Sequence, residues 1–356
     1  MVNPVTIAGL PKAVLHDHLD GGLRVETVLD LADQAGYTDL PSYEADELRE
    51  WFHQAQSGSL ERYLQAFEHT IAVKQEQEAL SRVAYECGVD LAADNVVYAE
   101  VRYAPSLFTE EGLPLEGVFE AAGDGFARAS RETGIEIRTI AVALRHLTDS
   151  ADVARAATRY IDQGVVAFDL AGPEAGFPAD DHLEACRIVH EAGLGLTLHG
   201  GEGDGPHSMW RALALCGAQR IGHGVHVADD TDFDGSSMHE LGSFARRVRD
   251  QRIPLEVAIS SNIHTASYPS ISVHPFGELF RNGFNVSINT DNRLMSATTM
   301  SEEYQLAADN FSLSIGDLEE ITVNAVVAGF GDYPKRKYLI DSVIRPAYAS
   351  AAGDAD

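Results

Sequence analysis

Short apolar runs rich in Val, Ile and Leu recur along the chain and read as eight strands, over residues 13–18, 96–103, 136–144, 165–170, 194–199, 220–223, 254–260 and 285–290. The run at 220–223 is the shortest. Near-continuous apolar runs suit parallel strands covered on both faces. Helical patterns separate most of them, over 148–162, 178–192, 206–216, 238–250 and 274–281. Gly193 stands where the second of these should stop, Pro206 opens the third, and Gly217 follows it. Eight strands alternating with helices predict an α/β fold, a TIM (β/α)8 barrel formed as one domain over residues 1–356. A doubly wound open sheet is the alternative, but no G-x-G-x-x-G follows the first strand.

Two regions exceed the minimal barrel. Residues 24–94, after the first strand, hold several helical patterns, and further helices are expected at the C-terminus over 301–313 and 315–329. Leu60, Tyr63, Leu64 and Phe67 share one helical face. That face either packs into the core or covers the barrel mouth, and the two roles are compatible. The small, acidic tail at 347–356 is expected to fray.

Polar residues interrupt the pattern where strands end. The first run closes in His16-Asp17-His18-Leu19-Asp20-Gly21-Gly22. On a strand, His16 and His18 face the same way and Asp17 the other. The fourth runs into Asp169-Leu170-Ala171-Gly172-Pro173-Glu174, the fifth into His199-Gly200-Gly201-Glu202, and the sixth into Gly222-His223-Gly224. The eighth ends in Asn289-Thr290-Asp291-Asn292. In a (β/α)8 barrel these ends form one rim, where chemistry occurs. His16, His18, His199 and Asp291 offer three imidazole nitrogens and a carboxylate oxygen to one divalent metal, zinc before iron, cobalt or manganese. No lysine of the fourth strand could bridge two ions, which favours one. Such a metal activates water at neutral pH. His223 is the candidate to orient that water, and Glu202 the candidate acid. Taken singly, each histidine could be a hydrogen-bonded core residue, Asp291 a helix cap and Glu202 a loop carboxylate. Their joint placement on one rim is what carries the reading.

The formal net charge of -29 and pI of about 4.7 argue against nucleic acid and anionic membranes as partners. Cys87, Cys186 and Cys216 lack thiolate-zinc spacing and read as core residues. No leader or membrane-length apolar run is evident, so the cytoplasm is the expected compartment.

The ordered motifs HDHLDGG, DLAGPE, HGGE, RIGHG, SSN and NTDN closely resemble the adenosine deaminases of the amidohydrolase superfamily, from about Leu10 to about Met300. The resemblance implies that His16, His18, His199 and Asp291 hold one zinc ion and that activated water attacks C6 of a purine. Glu202 then protonates ring N1, while His223 and Asp291 orient the attacking water. By the same resemblance His18 lies in the substrate pocket, Gly172 N–H bonds purine N3, and Asp20 binds the ribose 5′-hydroxyl. Asn292 stands where many relatives carry an Asp that bonds purine N7, and its amide donates without needing a proton. Ala258-Ile259 replaces a frequent Cys-Pro. The expected reaction is hydrolytic deamination of adenosine, and of 2′-deoxyadenosine, in purine salvage. The alternative substrates are adenine or a 5′-modified 6-aminopurine nucleoside. Asp20 disfavours a 5′-phosphate by charge.

Overall fold

Every residue of the first strand, Lys12–His18, is buried, as expected for a strand covered on both faces. Its one aliphatic amine is satisfied locally: Lys12 Nζ donates to the carbonyls of Leu10 (2.8 Å) and Ile7 (3.2 Å), at the end of the helix Pro4–Gly9. The structure, a computed structural model, describes residues 2–55 and 57–353. Its strands are β1 (Lys12–His18), β2 (Val96–Tyr103), β3 (Glu136–Leu144), β4 (Val165–Ala171), β5 (Gly195–Gly200), β6 (Arg220–His223), β7 (Thr231–Phe233), β8 (Met238–Leu241), β9 (Leu255–Val257) and β10 (Val286–Ile288). Eight of them form one parallel sheet in the order β1-β2-β3-β4-β5-β6-β9-β10. A bridge between Asp17 and Asp291 joins the first strand to the residues after the last. The result is the expected TIM barrel, with all strand C-termini on one rim.

Among the described residues, five α-helices lie between β1 and β2: Val25–Ala35, Ala45–Phe52, Leu60–Leu64, Phe67–Ala72 and Gln77–Ala93. The C-terminal side adds Met300–Phe311, Ile315–Ala328, Tyr333–Tyr338 and Arg345–Gly353. The expectation of a frayed tail does not hold up to Gly353, because Tyr348 is fully buried and lies 2.9 Å from the Thr322 hydroxyl. Residues 354–356 lie outside the described chain. All three cysteines are buried free thiols.

Three other expectations are corrected. The helical pattern over 238–250 splits into β8, which pairs antiparallel with β7, and a helix over Ser243–Asp250. Asp234-Gly235 makes the hairpin turn, with Asp234 Oδ1 accepting the N–H groups of Ser236 and Ser237 at 2.8 Å. Asp230 Oδ2 then caps the helix by accepting from Phe244 and Ala245, each at 2.9 Å. The strand expected over 254–260 ends at Val257, and Ile259–His264 is a helix. β10 is likewise shorter than 285–290: it ends at Ile288, and next to it stands Asn289, whose N–H still reaches the Val257 carbonyl at 2.9 Å. Its side-chain oxygen accepts the N–H groups of Leu15 (2.9 Å) and His16 (3.1 Å), which fastens β1 from within the barrel.

Candidate active site

The rim encloses a cavity of about 250 Å³ lined by His18, Asp20, Gly172, His199, Glu202, His223, Asp291 and Asn292 among others. Leu60, Tyr63, Leu64 and Phe67 form an apolar wall of the same cavity, so their shared face serves both packing and the site. A larger surface groove of about 1110 Å³ lies near the N-terminal helix, but Asp309 is the only ionisable side chain lining it among the described residues. The chemistry is in the smaller cavity.

His16 sits below its floor, fully buried. Its Nδ1 lies 3.1 Å from Glu256 Oε2, while its Nε2 is buried without a hydrogen-bond partner. That unsatisfied nitrogen is what a metal ligand requires. Around it, the nitrogens of His16, His18 and His199 lie within 4.8 Å of one another, as do ligand atoms of His16, His223 and Asp291. Asp291 Oδ1 is 3.4 Å from His16 Nε2 and 3.5 Å from His18 Nε2. His18 Nε2 and His199 Nε2 are 3.3 Å apart. Three imidazoles and a carboxylate therefore face one point, and the donor set fits a divalent ion of the zinc class. Burial pushes His18 and His199 below the ordinary histidine range, which keeps their lone pairs available, and it pushes His223 down likewise. His16 differs: burial and Arg102 oppose its protonation, but Asp291 and Glu256 outweigh them and shift it upward.

Three of the four candidate ligands are supported from behind, His16 by Glu256 as above. His199 Nδ1 lies 2.8 Å from Asp169 Oδ2, and Ser261 Oγ donates to Asp291 Oδ2 at 2.6 Å. Arg102 joins the two supporting carboxylates, donating to Asp169 at 2.7 Å and to Glu256 at 2.6 Å. Arg220 Nε binds the other oxygen of Glu256 at 2.7 Å. Sequence reasoning missed Arg102, Arg220 and Glu256. Their signal was a charged residue inside a short apolar strand, where it can be tolerated only if paired.

His223 and Asp291 have φ of 61° and 57°, a strained conformation for residues with a Cβ. His223 Nδ1 is 3.0 Å from the Asn262 amide nitrogen, so the neutral ring carries its proton on Nε2. That Nε2 is 3.6 Å from Glu202 Oε2. Burial pushes the Glu202 carboxyl well above the ordinary range, helped by the charges of Asp291 and Glu174. Glu202 reaches the cavity because Gly201 turns the chain at φ 67°, where a Cβ would stand 2.6 Å from Met209 Sδ. At the other end of the cavity, Asp20 Oδ2 accepts the Ala104 N–H at 3.2 Å, whereas Oδ1 is buried without a partner. Burial raises this carboxyl to about 6 against the pull of Lys74, whose ammonium lies 4.0 Å away. Asn292 Oδ1 is also buried without a partner.

The chain is similar to known proteins over nearly its whole length. The family model described as adenosine deaminase matches residues 11–346. Adenosine deaminase of Mycolicibacterium gilvum is 49% identical over 362 residues, covering 99% of this chain and 100% of that protein. Among solved structures, the Arabidopsis N6-mAMP deaminase superposes with a TM-score of 0.81 at 27% identity, covering 97% of this chain and 99% of that one. The adenine deaminase of Arthrobacter aurescens, at 23% identity and a TM-score of 0.83 over 97% and 99% of the two chains, shares the fold.

Proposed function

The chain belongs to the adenosine deaminase family of hydrolases, and from that premise we propose that it converts adenosine and 2′-deoxyadenosine to inosine and 2′-deoxyinosine with release of ammonia. The observation that carries this reading is the pairing of two features across one cavity. One is the set of imidazole and carboxylate atoms around the unsatisfied His16 Nε2, and the other is the buried Glu202 carboxyl, 3.6 Å from His223 Nε2.

His16, His18, His199 and Asp291 would hold one zinc ion. When bound, it lowers the pKa of a water to about 7 and supplies a nucleophile at neutral pH. The residues around it do the rest. Glu202 donates a proton to ring N1 as C6 is attacked, which lowers the cost of breaking the ring's conjugation. His223 orients the attacking water through Nε2, and Asp291 assists. Water adds its oxygen to C6, one of its protons passes to N6 so that the C6–N6 bond breaks with loss of ammonia, and the other returns to Glu202, which leaves C6=O and N1–H in the product. Gly172 N–H meets N3 and the Asn292 amide meets N7. Asp20 Oδ1 accepts the 5′-hydroxyl, and its charge disfavours a 5′-phosphate. These roles fit one domain working in purine salvage in the cytoplasm, on small molecules rather than nucleic acid or membranes. Among the described residues, no helix is long and apolar enough to cross a membrane.

The test is a panel of adenosine, 2′-deoxyadenosine, adenine, AMP and 5′-modified adenosines, followed by ultraviolet absorbance and ammonia release with and without a chelator. Adenosine and its 2′-deoxy analogue should turn over fastest, and only with metal present. Faster turnover of adenine, or of AMP, would reject the reading.

A further inference from the structure

The turn over residues 201–204 carries Glu202 into the cavity, yet neither a helix nor a strand satisfies its backbone donors. It lies between β5 and the helix Pro206–Ala214. One side chain gathers them all. Glu174, from the loop after β4, is 4% exposed. Its Oε1 accepts the N–H of Gly201 at 2.8 Å. Its Oε2 accepts those of Glu202 at 3.0 Å, Gly203 at 2.8 Å and Asp204 at 3.2 Å. Four successive N–H groups converging on one point form a cradle for an anion, and here the chain supplies its own.

We infer that Glu174 is a positioning residue for Glu202: by gathering these four N–H groups it fixes the turn from which the Glu202 carboxyl enters the cavity. The inference rests on the reading of Glu202 as the proton donor. Glu174 does not line the cavity. Its charge works in the same sense as its geometry, since it favours the proton-bearing form of Glu202. A glutamine at 174 cannot replace it. An amide has one accepting oxygen, and its NH2 would face N–H donors. The turn would then relax, and a displacement of about 1 Å at a reacting group can cost about 100-fold in rate.

The experiment is a double-mutant cycle on the metal-loaded enzyme, using Glu174→Gln, Glu202→Gln and the double variant. kcat and KM for adenosine are measured with metal content and melting temperature. Glu202→Gln alone should cost about 100- to 10,000-fold in kcat. Glu174→Gln should lower kcat about 10- to 100-fold and change KM less than about 3-fold, with metal content kept. In the Glu202→Gln background the same substitution should cost less than about 2-fold, because Glu174 then has no proton donor to aim. Equal losses in both backgrounds would overturn the inference while leaving the proton donor intact. So would a kcat for Glu174→Gln within about 2-fold of the parent. A Glu202→Gln variant as active as the parent would overturn the proton-donor reading itself, and the inference with it. If Glu174→Gln does not fold, Glu174→Asp keeps the charge and withdraws it by one methylene, and its loss must vanish in the Glu202→Gln background in the same way.

Discussion

The backbone N–H of His18 donates to the carbonyl of Asp291 at 2.7 Å, so the seam that closes the barrel passes through two candidate metal ligands. The Asp291 N–H returns to the His16 carbonyl at 2.9 Å. An ion held by these side chains would tie the first strand to the end of the last. Metal loading should therefore stabilise the fold as well as enable the reaction. With free metal at about 1,000 times its Kd, the gain is about 4 kcal/mol. Calorimetry of chelator-treated and zinc-reloaded protein should show a lower melting temperature for the first and recovery in the second. Identical melting of the two would remove the metal from this position.

Glu256 should matter to both stability and metal affinity. It is fully buried, faces His16 on one oxygen and Arg220 on the other, and shares Arg102 with Asp169. Burial opposes its charge, but the two guanidiniums hold it well below the ordinary range. Glu256→Gln leaves two buried cations short of an anion, a loss of about 3–5 kcal/mol. It also leaves one neutral amide oxygen where two charged ones served His16 and the two arginines, so the support that fixes the His16 tautomer weakens and metal binding should fall about 10- to 100-fold. Urea unfolding and a competitive zinc titration measure the two effects. Unchanged metal affinity in a folded variant would show that Glu256 supports the barrel only.

Most of the barrel is legible in the sequence because its strands are apolar runs bounded by turns. β2, β3 and β6 fall on the residues expected, 96–103, 136–144 and 220–223. Residues 238–250 mislead because a two-stranded hairpin followed by a capped helix leaves an apolar spacing that also fits one helix, although Asp234-Gly235 marks the turn. The rim motifs could be placed together because (β/α)8 topology sends all strand ends to one face. Their supports could not. Glu256 meets His16 across 240 positions of sequence, and nothing local to Leu255-Glu256-Val257 announces the pairing. Glu174 was visible in DLAGPE, but its acceptors' partners emerge only when the 201–204 turn is folded over it.

A buried carboxyl outside the cavity gives the fold a pH dependence of definite sign. Glu303, on the helix Met300–Phe311, is 1% exposed, and burial raises it to about 7 although the Ser260 N–H and Thr298 hydroxyl donate to it at 3.3 Å and 2.9 Å. The neighbouring charge of Glu302 acts in the same upward direction as burial. The folded chain keeps this proton after the unfolded chain has lost it, starting from 4.5. Its contribution to stability is thus fully present below 4.5 and is lost as pH rises through about 7, a decline of at most about 3 kcal/mol. Glu303→Gln should remove that slope and be more stable than the parent at pH 8. Denaturant midpoints measured between pH 4.5 and pH 8 decide it, and parallel profiles for parent and variant would contradict the assignment.

Asp20 should set the preference at the far end of the substrate. Its Oδ1 is buried without a partner, Oδ2 is already committed to Ala104, and the fully buried Lys74 ammonium stands 4.0 Å behind it. A free 5′-hydroxyl supplies the missing donor. 5′-Deoxyadenosine does not, and leaving the carboxylate unpaired under the bound ligand costs about 1–3 kcal/mol. Adenosine should therefore exceed 5′-deoxyadenosine in kcat/KM by about 5- to 150-fold. AMP should be worse than either, since a phosphate adds repulsion to the lost hydrogen bond. Asp20→Ala removes the group that discriminates. It should lower kcat/KM for adenosine and bring the adenosine to 5′-deoxyadenosine ratio to within about 3-fold of unity. Lys74→Met tests the support: with its counter-charge gone, Asp20 is driven further toward the neutral acid, which can still meet a hydroxyl but no longer repels a phosphate. The penalty against AMP should then shrink more than the preference for adenosine over 5′-deoxyadenosine. A ratio for adenosine over 5′-deoxyadenosine that survives Asp20→Ala intact would place the 5′ contact elsewhere in the cavity.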